Sequence, residues 1–302
     1  MSPSHTSHIY LLGILERSGT NFLYNTLIQH SEISPMSPKG EDYLLKSIEL
    51  LDEYCRSTSS HWHSMWGGGL KIEQQRKDLQ RALGKGMNIY LQGEESETEF
   101  ICSKTPSTIG IEAIQRYFPE SKVILLVREP VKTVSSGVES FGWTWRQGIK
   151  DWKQSAERMI DFMNREETTA HLVRYEDLIH QPGPTLEGIS DFLGIDRTEL
   201  SASTIKNQPV VGSSTLGNSS GEIKWEGVQA DITFQPTSIA GIPAWAVRKA
   251  YRATDALRKQ LGYHQPPPVP DLSISDHIQR LTHGIQETVI DGWRALRAKY
   301  LT

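Results

Sequence analysis

A short polar segment with one arginine and one glycine follows directly on the apolar run at residues 9–15. Apolar residues then recur at helical spacing, so the segment is predicted to join a buried strand to a helix. Glycine lets the backbone approach a ligand closely, and a helix start offers free N–H groups and the positive end of the helix dipole. Arginine adds a planar fork suited to phosphate or sulfate oxygens. The segment, called the phosphate loop below, therefore predicts an anion site formed by Arg17, Ser18, Gly19, Thr20 and Asn21.

A second cation, Arg128, follows the apolar run at residues 122–127. Nucleoside triphosphatases end a comparable loop in Gly-Lys-Ser/Thr and hold Mg²⁺ with an aspartate near the end of another buried strand. Here Gly19 is followed by Thr20 and Asn21, and the second strand ends in an arginine. The sequence therefore predicts a nucleotide site without a metal, in which a further phosphate lies where the metal would have been.

The elements that position these residues alternate along the chain. Short apolar runs predict strands at residues 9–15, 100–103, 122–127 and 171–174. Alternating strands and helices indicate an α/β fold of three layers, α/β/α, with a central parallel sheet, a P-loop-like phosphate-binding loop and helical C-terminal elaborations. Helices are predicted at residues 41–56, 107–118, 130–139, 149–165, 185–193 and 243–261.

The chain has 302 residues, which we interpret as one elaborated α/β domain over residues 1–265 and an appended segment over residues 266–302. The appended segment begins with a stiff proline-rich spacer and continues with apolar residues every three or four positions, the pattern of one amphipathic helix. We expect this helix to pack on its own domain, with a homodimer contact as the alternative. A glycine- and serine-rich stretch at residues 211–227 predicts a loop.

Composition excludes several classes of partner. The net charge of −4 gives no basic field for a nucleic-acid backbone. The two cysteines cannot form a disulfide framework and fit a reducing compartment. No apolar run approaches the roughly 20 residues of a membrane span. We therefore expect a cytoplasmic protein that binds neither nucleic acid nor membranes.

Four segments, in order, resemble landmarks of the sulfotransferases that use 3′-phosphoadenosine 5′-phosphosulfate (PAPS). Residues 17–22, Arg-Ser-Gly-Thr-Asn-Phe, look like the family's 5′-phosphosulfate loop. Residues 122–136 are similar to its 3′-phosphate segment, with Arg128 at the strand end and Ser136 eight residues later, about two helical turns on. The other two landmarks are a strand and a following helix, which resemble residues 172–178 and 191–194.

The resemblance implies which residues bind the donor nucleotide. The phosphate loop would bind the 5′-phosphate and the sulfate, and Arg128 with Ser136 would bind the 3′-phosphate. Tyr175 would contact adenine, although a tyrosine at a strand end is as often a core residue. The family also closes a basic loop over the nucleotide, and the donors available for it here are Ser219, Ser220 and Lys224.

Sulfuryl transfer needs a cation where negative charge grows as the S–O bond breaks, and a base for the acceptor's proton. The segment around Lys104 looks like the family's lysine-containing segment, which implies that Lys104, assisted by Arg17, supplies the cation. The branch of the family that acts on sugars places a glutamate shortly after the first helix. By resemblance Glu41 is the base, with Asp42 as its rival because one inserted glycine blurs the register. Capping of the neighbouring helix is the alternative role for Glu41.

The resemblance thus implies a PAPS-dependent enzyme that needs no metal. It would transfer the sulfuryl group to a hydroxyl, and secondarily to an amine, of a small molecule or carbohydrate. Two alternatives stay open: a Mg²⁺-dependent nucleotide kinase or triphosphatase on the same architecture, and a nucleotide-binding protein without turnover. The acceptor pocket is built from variable loops, so the residues do not identify the acceptor.

Overall fold

The computed structural model describes the strands and helices that carry the predicted site. Described are residues 7–37, 40–63, 65, 71–93, 98–166, 168–206, 214–216, 223–225, 241–265, 269, 276 and 282. The strands are β1 (Ser7–Gly13), β2 (Ile33–Pro35), β3 (Phe100–Thr105), β4 (Lys122–Val127), β5 (Ala170–Arg174), β6 (Ser214–Leu216) and β7 (Ile223–Trp225). The helices are α1 (Thr20–Leu27), α2 (Ile48–Ser60), α3 (Ile72–Gln92), α4 (Ile114–Tyr117), α5 (Pro130–Phe141), α6 (Trp145–Met163), α7 (Tyr175–His180), α8 (Pro182–Leu193), α9 (Ala202–Lys206) and α10 (Ala244–Gln260).

A parallel sheet of five strands forms the centre of the molecule, in the order β2-β3-β1-β4-β5. Leu11 of β1 lies opposite Lys104 of β3 on one side and Ile124 of β4 on the other. The ends of β3, β1 and β4 therefore reach the same edge of the sheet. Ligand sites of open parallel sheets lie outside this carboxyl edge.

Each face of the sheet is covered by helices because successive side chains of a strand point to opposite faces. Ile9 and Leu11 of β1 pack with residues of α1 and α8. Tyr10 and Leu12 pack on the other face with residues of α6, among them Trp152. The three-layer α/β/α fold with a central parallel sheet is thus confirmed.

The predicted strands all form, one of them (β4) with the predicted bounds and the others with shifted ones, and most predicted helices form as well. The helix expected at residues 41–56 begins later, as a 3-10 turn at Leu44–Ser47 that leads into α2. The segment at residues 107–118 is helical only in the 3-10 turn Ile111–Ala113 and in α4. Within the stretch predicted as a loop, residues 211–227, the short strands β6 and β7 pair antiparallel.

The long helix α3 is missing from the sequence-based prediction, although Leu83 and Met87 lie one turn apart on the side that packs against the core. Gln80 and Gly84 are buried on that face, where the Gln80 amide donates to Asp52 Oδ1 at 2.9 Å. A Cβ at Gly84 would lie 1.8 Å from the carbonyl oxygen of Tyr117. Glycine therefore lets α3 approach the turn before β4, at the cost of helix propensity.

Beyond residue 199, α10 packs against α5 and α6. Trp245 of α10 lies edge-on to Trp145 of α6, with ring centroids 6.4 Å apart, and both are buried. The predicted C-terminal helix within residues 266–302 lies outside the described residues, apart from residues 269, 276 and 282. No helix in the described ranges is both long enough and apolar enough to cross a membrane.

Two glycines of α3 give a matched test of this packing. Gly84→Ala should lower the free energy of unfolding by about 2 kcal/mol, because the added methyl group forces the backbone away from Tyr117. Gly86→Ala, with open space at the new Cβ, should raise it by roughly 0.5–1 kcal/mol through helix propensity. Urea unfolding of the two variants measures both changes, and a Gly84→Ala protein as stable as the wild type would contradict the close approach.

Candidate functional site

The phosphate loop makes a tight turn between β1 and α1. Arg17 and Gly19 both adopt left-handed backbone conformations, with φ of 71° and 95°. The Ser18 hydroxyl donates to the carbonyl of Leu15 at 2.7 Å and is fully buried. A Cβ at Gly13 would lie 2.5 Å from Ser18 Oγ. Ser18 therefore holds the turn together with its side chain, which the sequence alone would have assigned to the ligand.

The start of α1 opens into this turn without a protein cap. The N-cap residue is Gly19, which has no side chain to cap the helix, and the first turn contains no acidic residue. The first hydrogen bond of the helix runs from the Leu23 amide to the Gly19 carbonyl at 3.1 Å. The amides of Thr20, Asn21 and Phe22 thus have no acceptor within the helix, which is the arrangement that attracts anions.

Arg17 and Arg128 are brought together at the ends of the neighbouring strands β1 and β4. The Nη1 atom of Arg128 donates to the Arg17 carbonyl at 2.8 Å, and Arg17 Nε donates to Ser136 Oγ at 2.9 Å. Burial, and then the nearby charge of Arg128, lower the pKa of Arg17. Two guanidinium groups and a hydroxyl therefore share one region that favours an anion.

Tyr175 lies beneath this cationic region. The Arg128 guanidinium carbon is 4.7 Å from the centre of the Tyr175 ring. A Cβ at Gly19 would lie 2.4 Å from the same ring, so only glycine fits there. The Tyr175 ring, from the first residue of α7, thus contacts both the phosphate loop and the Arg128 guanidinium.

A second cluster lies across the β1 strand, at the end of β3. Lys104 is only 6% exposed, and its Nζ lies 3.2 Å from Glu41 Oε1. The same Nζ is 5.8 Å from the centre of the Tyr24 ring. The Tyr43 hydroxyl donates to the other Glu41 oxygen, Oε2. The structure therefore places Glu41 and Lys104, which the sequence analysis proposed separately as base and cation, in direct contact.

Asp42 is engaged differently from Glu41. Its Oδ1 accepts hydrogen bonds from the Leu44 amide and from Thr105 Oγ1, both at 3.0 Å. Burial raises the pKa of Asp42, hydrogen bonds oppose this, and the charge of Glu41 adds to the rise. Asp42 thus attaches the segment before α2 to the end of β3. The capping role considered for Glu41 belongs to Asp42, because its carboxylate receives the amide at the start of the 3-10 turn.

Sequence reasoning missed Glu16, which precedes the phosphate loop directly. Burial raises the pKa of the Glu16 carboxyl, and the charges of Glu41 and Asp151 act in the same direction while Lys46 opposes them. Glu16 is therefore buried next to the phosphate loop and near enough to Glu41, Lys46 and Asp151 to be affected by their charges. A carboxylate next to an anion-binding loop is an unusual neighbour, and this was the sequence signal that could have drawn attention to it.

The remaining predicted residues are only partly covered by the structure. Asn21 Oδ1 is buried and makes no hydrogen bond within the described part of the chain. Ser219 and Ser220 lie outside the described residues, and Lys224 is described only as backbone in β7. Within the described ranges, no group of three or more His, Cys, Asp or Glu side chains is arranged to hold a metal ion.

A model of the sulfotransferase family matches residues 9–199, more than half of the chain. The chain belongs to the sulfotransferase family. It is 24% identical over 204 residues to a Caenorhabditis briggsae protein whose name assigns it provisionally as a protein-tyrosine sulfotransferase; the match covers 65% of this chain and 69% of that one. The sulfotransferase resemblance of the phosphate loop and the strand ends is thereby confirmed at the level of the family.

Solved sulfotransferase structures are also similar to this chain. A sulfotransferase domain from the curacin biosynthetic pathway is 19% identical with a TM-score of 0.47, over 93% of this chain and 98% of that one. A mouse sulfotransferase, SULT7A1 complexed with PAP, is 16% identical with a TM-score of 0.40, over 85% and 89% of the two chains. The family match ends before α10, so the part of this sulfotransferase that follows residue 199 is not covered by it.

Proposed function

We propose that this sulfotransferase transfers the sulfuryl group of PAPS to a hydroxyl group of a small molecule, a carbohydrate or a tyrosine side chain. The main observation behind the proposal is that two groups suited to anions lie together where the neighbouring strands β1 and β4 end. The uncapped start of α1 and the cation of Arg128 meet there, because Arg128 donates to the Arg17 carbonyl at 2.8 Å. One ligand with phosphates at both ends of a nucleoside fits such a junction better than a single inorganic anion.

The residues present fit a 3′-phosphate. The Nε of Arg128 is buried and makes no hydrogen bond within the described residues, although buried polar atoms normally have a partner. Arg17, which lies beside Arg128, donates to Ser136 Oγ, so the Arg17 guanidinium and the Ser136 hydroxyl are already next to each other. An incoming phosphate would satisfy the Arg128 Nε and compensate the charge of both arginines. This unsatisfied donor supports Arg128 and Ser136 as ligands of the 3′-phosphate.

The phosphate loop fits the other end of the donor. The amides of Thr20, Asn21 and Phe22 are directed to the mouth of the loop, and Gly19 allows close approach of the backbone. These amides, rather than the buried Ser18 hydroxyl, would bind the 5′-phosphate and the sulfate. Tyr175 is covered by Arg128 and abuts Gly19, which supports a role in positioning both groups. Contact of Tyr175 with adenine stays a prediction, as do Ser219, Ser220 and Lys224 as donors of a closing loop.

When bound, PAPS supplies an activated sulfuryl group whose leaving phosphate gains negative charge as the S–O bond breaks. Lys104 is the buried cation at the end of β3 that would stabilise this charge, and Arg17 would assist it from the phosphate loop. Preorganised charge of this kind costs no reorganisation at the moment of reaction. Because Lys104 Nζ contacts Glu41 directly, stabilisation of the leaving group and proton removal would occur within one pair of side chains.

Glu41 is the proposed base for the acceptor hydroxyl. Its Oε2 already accepts a hydrogen bond from a phenol, the hydroxyl of Tyr43, so the carboxylate is accessible to an aromatic hydroxyl donor. An acceptor hydroxyl would replace Tyr43 and pass its proton to Glu41 as its oxygen attacks sulfur. The relative named for protein tyrosine makes a phenol a sensible first acceptor to assay beside sugars, aliphatic alcohols and amines.

Transfer of labelled sulfate from PAPS to a panel of phenols, tyrosine peptides, sugars, alcohols and amines tests the proposed function. We expect product with at least one acceptor, and an unchanged rate in excess EDTA, because the strand end that would carry a metal-binding aspartate carries Arg128. A strict Mg²⁺ requirement with ATP as donor would favour a kinase instead. Tight binding of the 3′,5′-bisphosphate without transfer to any acceptor would favour a binding protein.

The two adjacent carboxylates can be separated by amide substitutions. Glu41→Gln should lower kcat by about 100-fold or more, the usual contribution of a general base. Asp42→Asn should change kcat by less than about threefold, since the amide oxygen can still accept from the Leu44 amide and Thr105. Thermal unfolding of both variants checks the fold. The reverse ranking of the two kcat values would identify Asp42 as the base.

Arg128 can be tested by comparing two nucleotides that differ only in the 3′-phosphate. Arg128→Ala should weaken binding of adenosine 3′,5′-bisphosphate by roughly 10- to 100-fold, since hydrogen bonds between charged groups contribute about 1.5–3 kcal/mol. Binding of adenosine 5′-monophosphate should fall by a smaller factor, because this nucleotide is affected only through loss of the hydrogen bond from Arg128 to the phosphate loop. Arg197→Ala, which removes an exposed guanidinium paired with Asp191, is the matched control. Equal losses for the two nucleotides in Arg128→Ala would contradict the assignment.

A further inference from the structure

The peptide unit that follows Arg128 is held on both sides by hydrogen bonds. The Arg128 carbonyl accepts from Trp152 Nε1 at 3.1 Å and from Thr133 Oγ1 at 3.3 Å. The amide of the same peptide, which belongs to Glu129, donates to Glu176 Oε1 at 3.0 Å. This peptide fixes the backbone from which the Arg128 side chain leaves the strand end, so its orientation limits where the guanidinium can lie.

The carboxylate of Glu176 is itself fixed by a residue from the far end of the described chain. The Tyr263 hydroxyl donates to Glu176 Oε2 at 2.6 Å and lies 3.4 Å from the Val127 carbonyl. Glu176 thus accepts one hydrogen bond on each oxygen, one from the Glu129 amide and one from Tyr263. Without the second bond the carboxylate is free to rotate away from the first.

We propose that Tyr263 and Glu176 are positioning residues that hold Arg128 in its 3′-phosphate-binding orientation. This inference rests on the proposed function, because it takes Arg128 as the ligand of the 3′-phosphate. Neither residue would touch the nucleotide itself. Tyr263 orients the Glu176 carboxylate, the carboxylate holds the Glu129 amide, and the peptide directs Arg128 over Tyr175 and towards the Arg17 carbonyl.

Tyr263 is held in a fixed position by backbone hydrogen bonds and by an arginine at its ring. Its amide donates to the Arg258 carbonyl at 2.8 Å, and its carbonyl accepts from Arg258 Nη1 at 2.7 Å. The Arg174 guanidinium carbon lies 5.6 Å from the centre of the Tyr263 ring, and Arg174 also donates to the Gly262 carbonyl. Arg258 is 2% exposed and Tyr263 is 9% exposed. The hydroxyl therefore has a fixed position that does not depend on its bond to Glu176.

A residue of α10 also lies near the peptide between Arg128 and Glu129. The Glu129 carboxylate is buried, and its Oε2 accepts from the Lys132 amide at 3.0 Å. Tyr251 of α10 lies near this carboxylate, because burial and then the charge of Glu129 raise the pKa of the Tyr251 hydroxyl. Tyr251 and Tyr263 thus approach the Arg128–Glu129 peptide from one element and the turn that follows it. Both residues lie beyond the range matched by the family model, so this support is a feature of the chain's own C-terminal part.

The test compares the affinities of adenosine 3′,5′-bisphosphate and 5′-monophosphate in the folded full chain by calorimetry. Tyr263→Phe keeps the ring and removes only the hydroxyl. It should weaken bisphosphate binding by about fivefold, equivalent to roughly 1 kcal/mol, and leave monophosphate binding within about twofold. Glu176→Ala should lose the same preference, whereas Glu176→Gln should retain more of it, because its amide oxygen can still accept from the Glu129 amide.

Tyr10→Phe is the matched control, since it also removes a buried tyrosine hydroxyl, one that donates to Asn88 Oδ1 at 3.0 Å. It should lower the melting temperature without changing the ratio of the two affinities. A Tyr263→Phe protein with the wild-type ratio, or with equal losses for both nucleotides, overturns the positioning role. A wild-type protein that does not prefer the bisphosphate overturns the proposed function and this inference together, so the two failures are distinguishable.

Discussion

The hydrogen bond from Arg128 Nη1 to the Arg17 carbonyl joins the ends of two neighbouring parallel strands, and the site is built around it. It exists because β1 and β4 are adjacent and in register, with the Ile14 amide still donating to the Leu126 carbonyl at 2.9 Å where β1 ends. The turn that follows must then bring the Arg17 carbonyl towards β4, which its left-handed backbone achieves. A donor nucleotide would bridge groups that the sheet has already brought together, so little ordering is left for binding to accomplish.

Much of this arrangement could be predicted from the sequence. Parallel strands end at a common edge, and short apolar runs marked β1, β3 and β4, so Arg17, Lys104 and Arg128 were expected at that edge. The positions of these strand ends agree with the structure because they depend on local pattern and on one rule of sheet topology. Gly19 was expected to let a ligand approach the backbone closely, whereas in the structure its missing Cβ leaves room for the ring of Tyr175.

Other features could not be read from local pattern because they depend on distant partners. The Ser18 hydroxyl turns back to Leu15, which no composition rule indicates. Asp42 and Glu41 are chemically alike and adjacent, yet only the fold decides that Asp42 faces Thr105 while Glu41 faces Lys104. Helix α3, in contrast, could have been predicted, because Leu83, Met87 and Leu91 recur every four residues on the side that packs against the core.

The pairing of Lys104 with Glu41 has a consequence for the proposed reaction. A buried cation requires compensation, and among the described residues Glu41 supplies the ion pair, at 3.2 Å. When Glu41 accepts the proton of an acceptor hydroxyl, its negative charge disappears and Lys104 loses that compensation. In the same step the leaving phosphate gains negative charge. The electrostatic attraction of Lys104 would therefore pass from the base to the leaving group as transfer proceeds, which favours the transition state over the bound ground state.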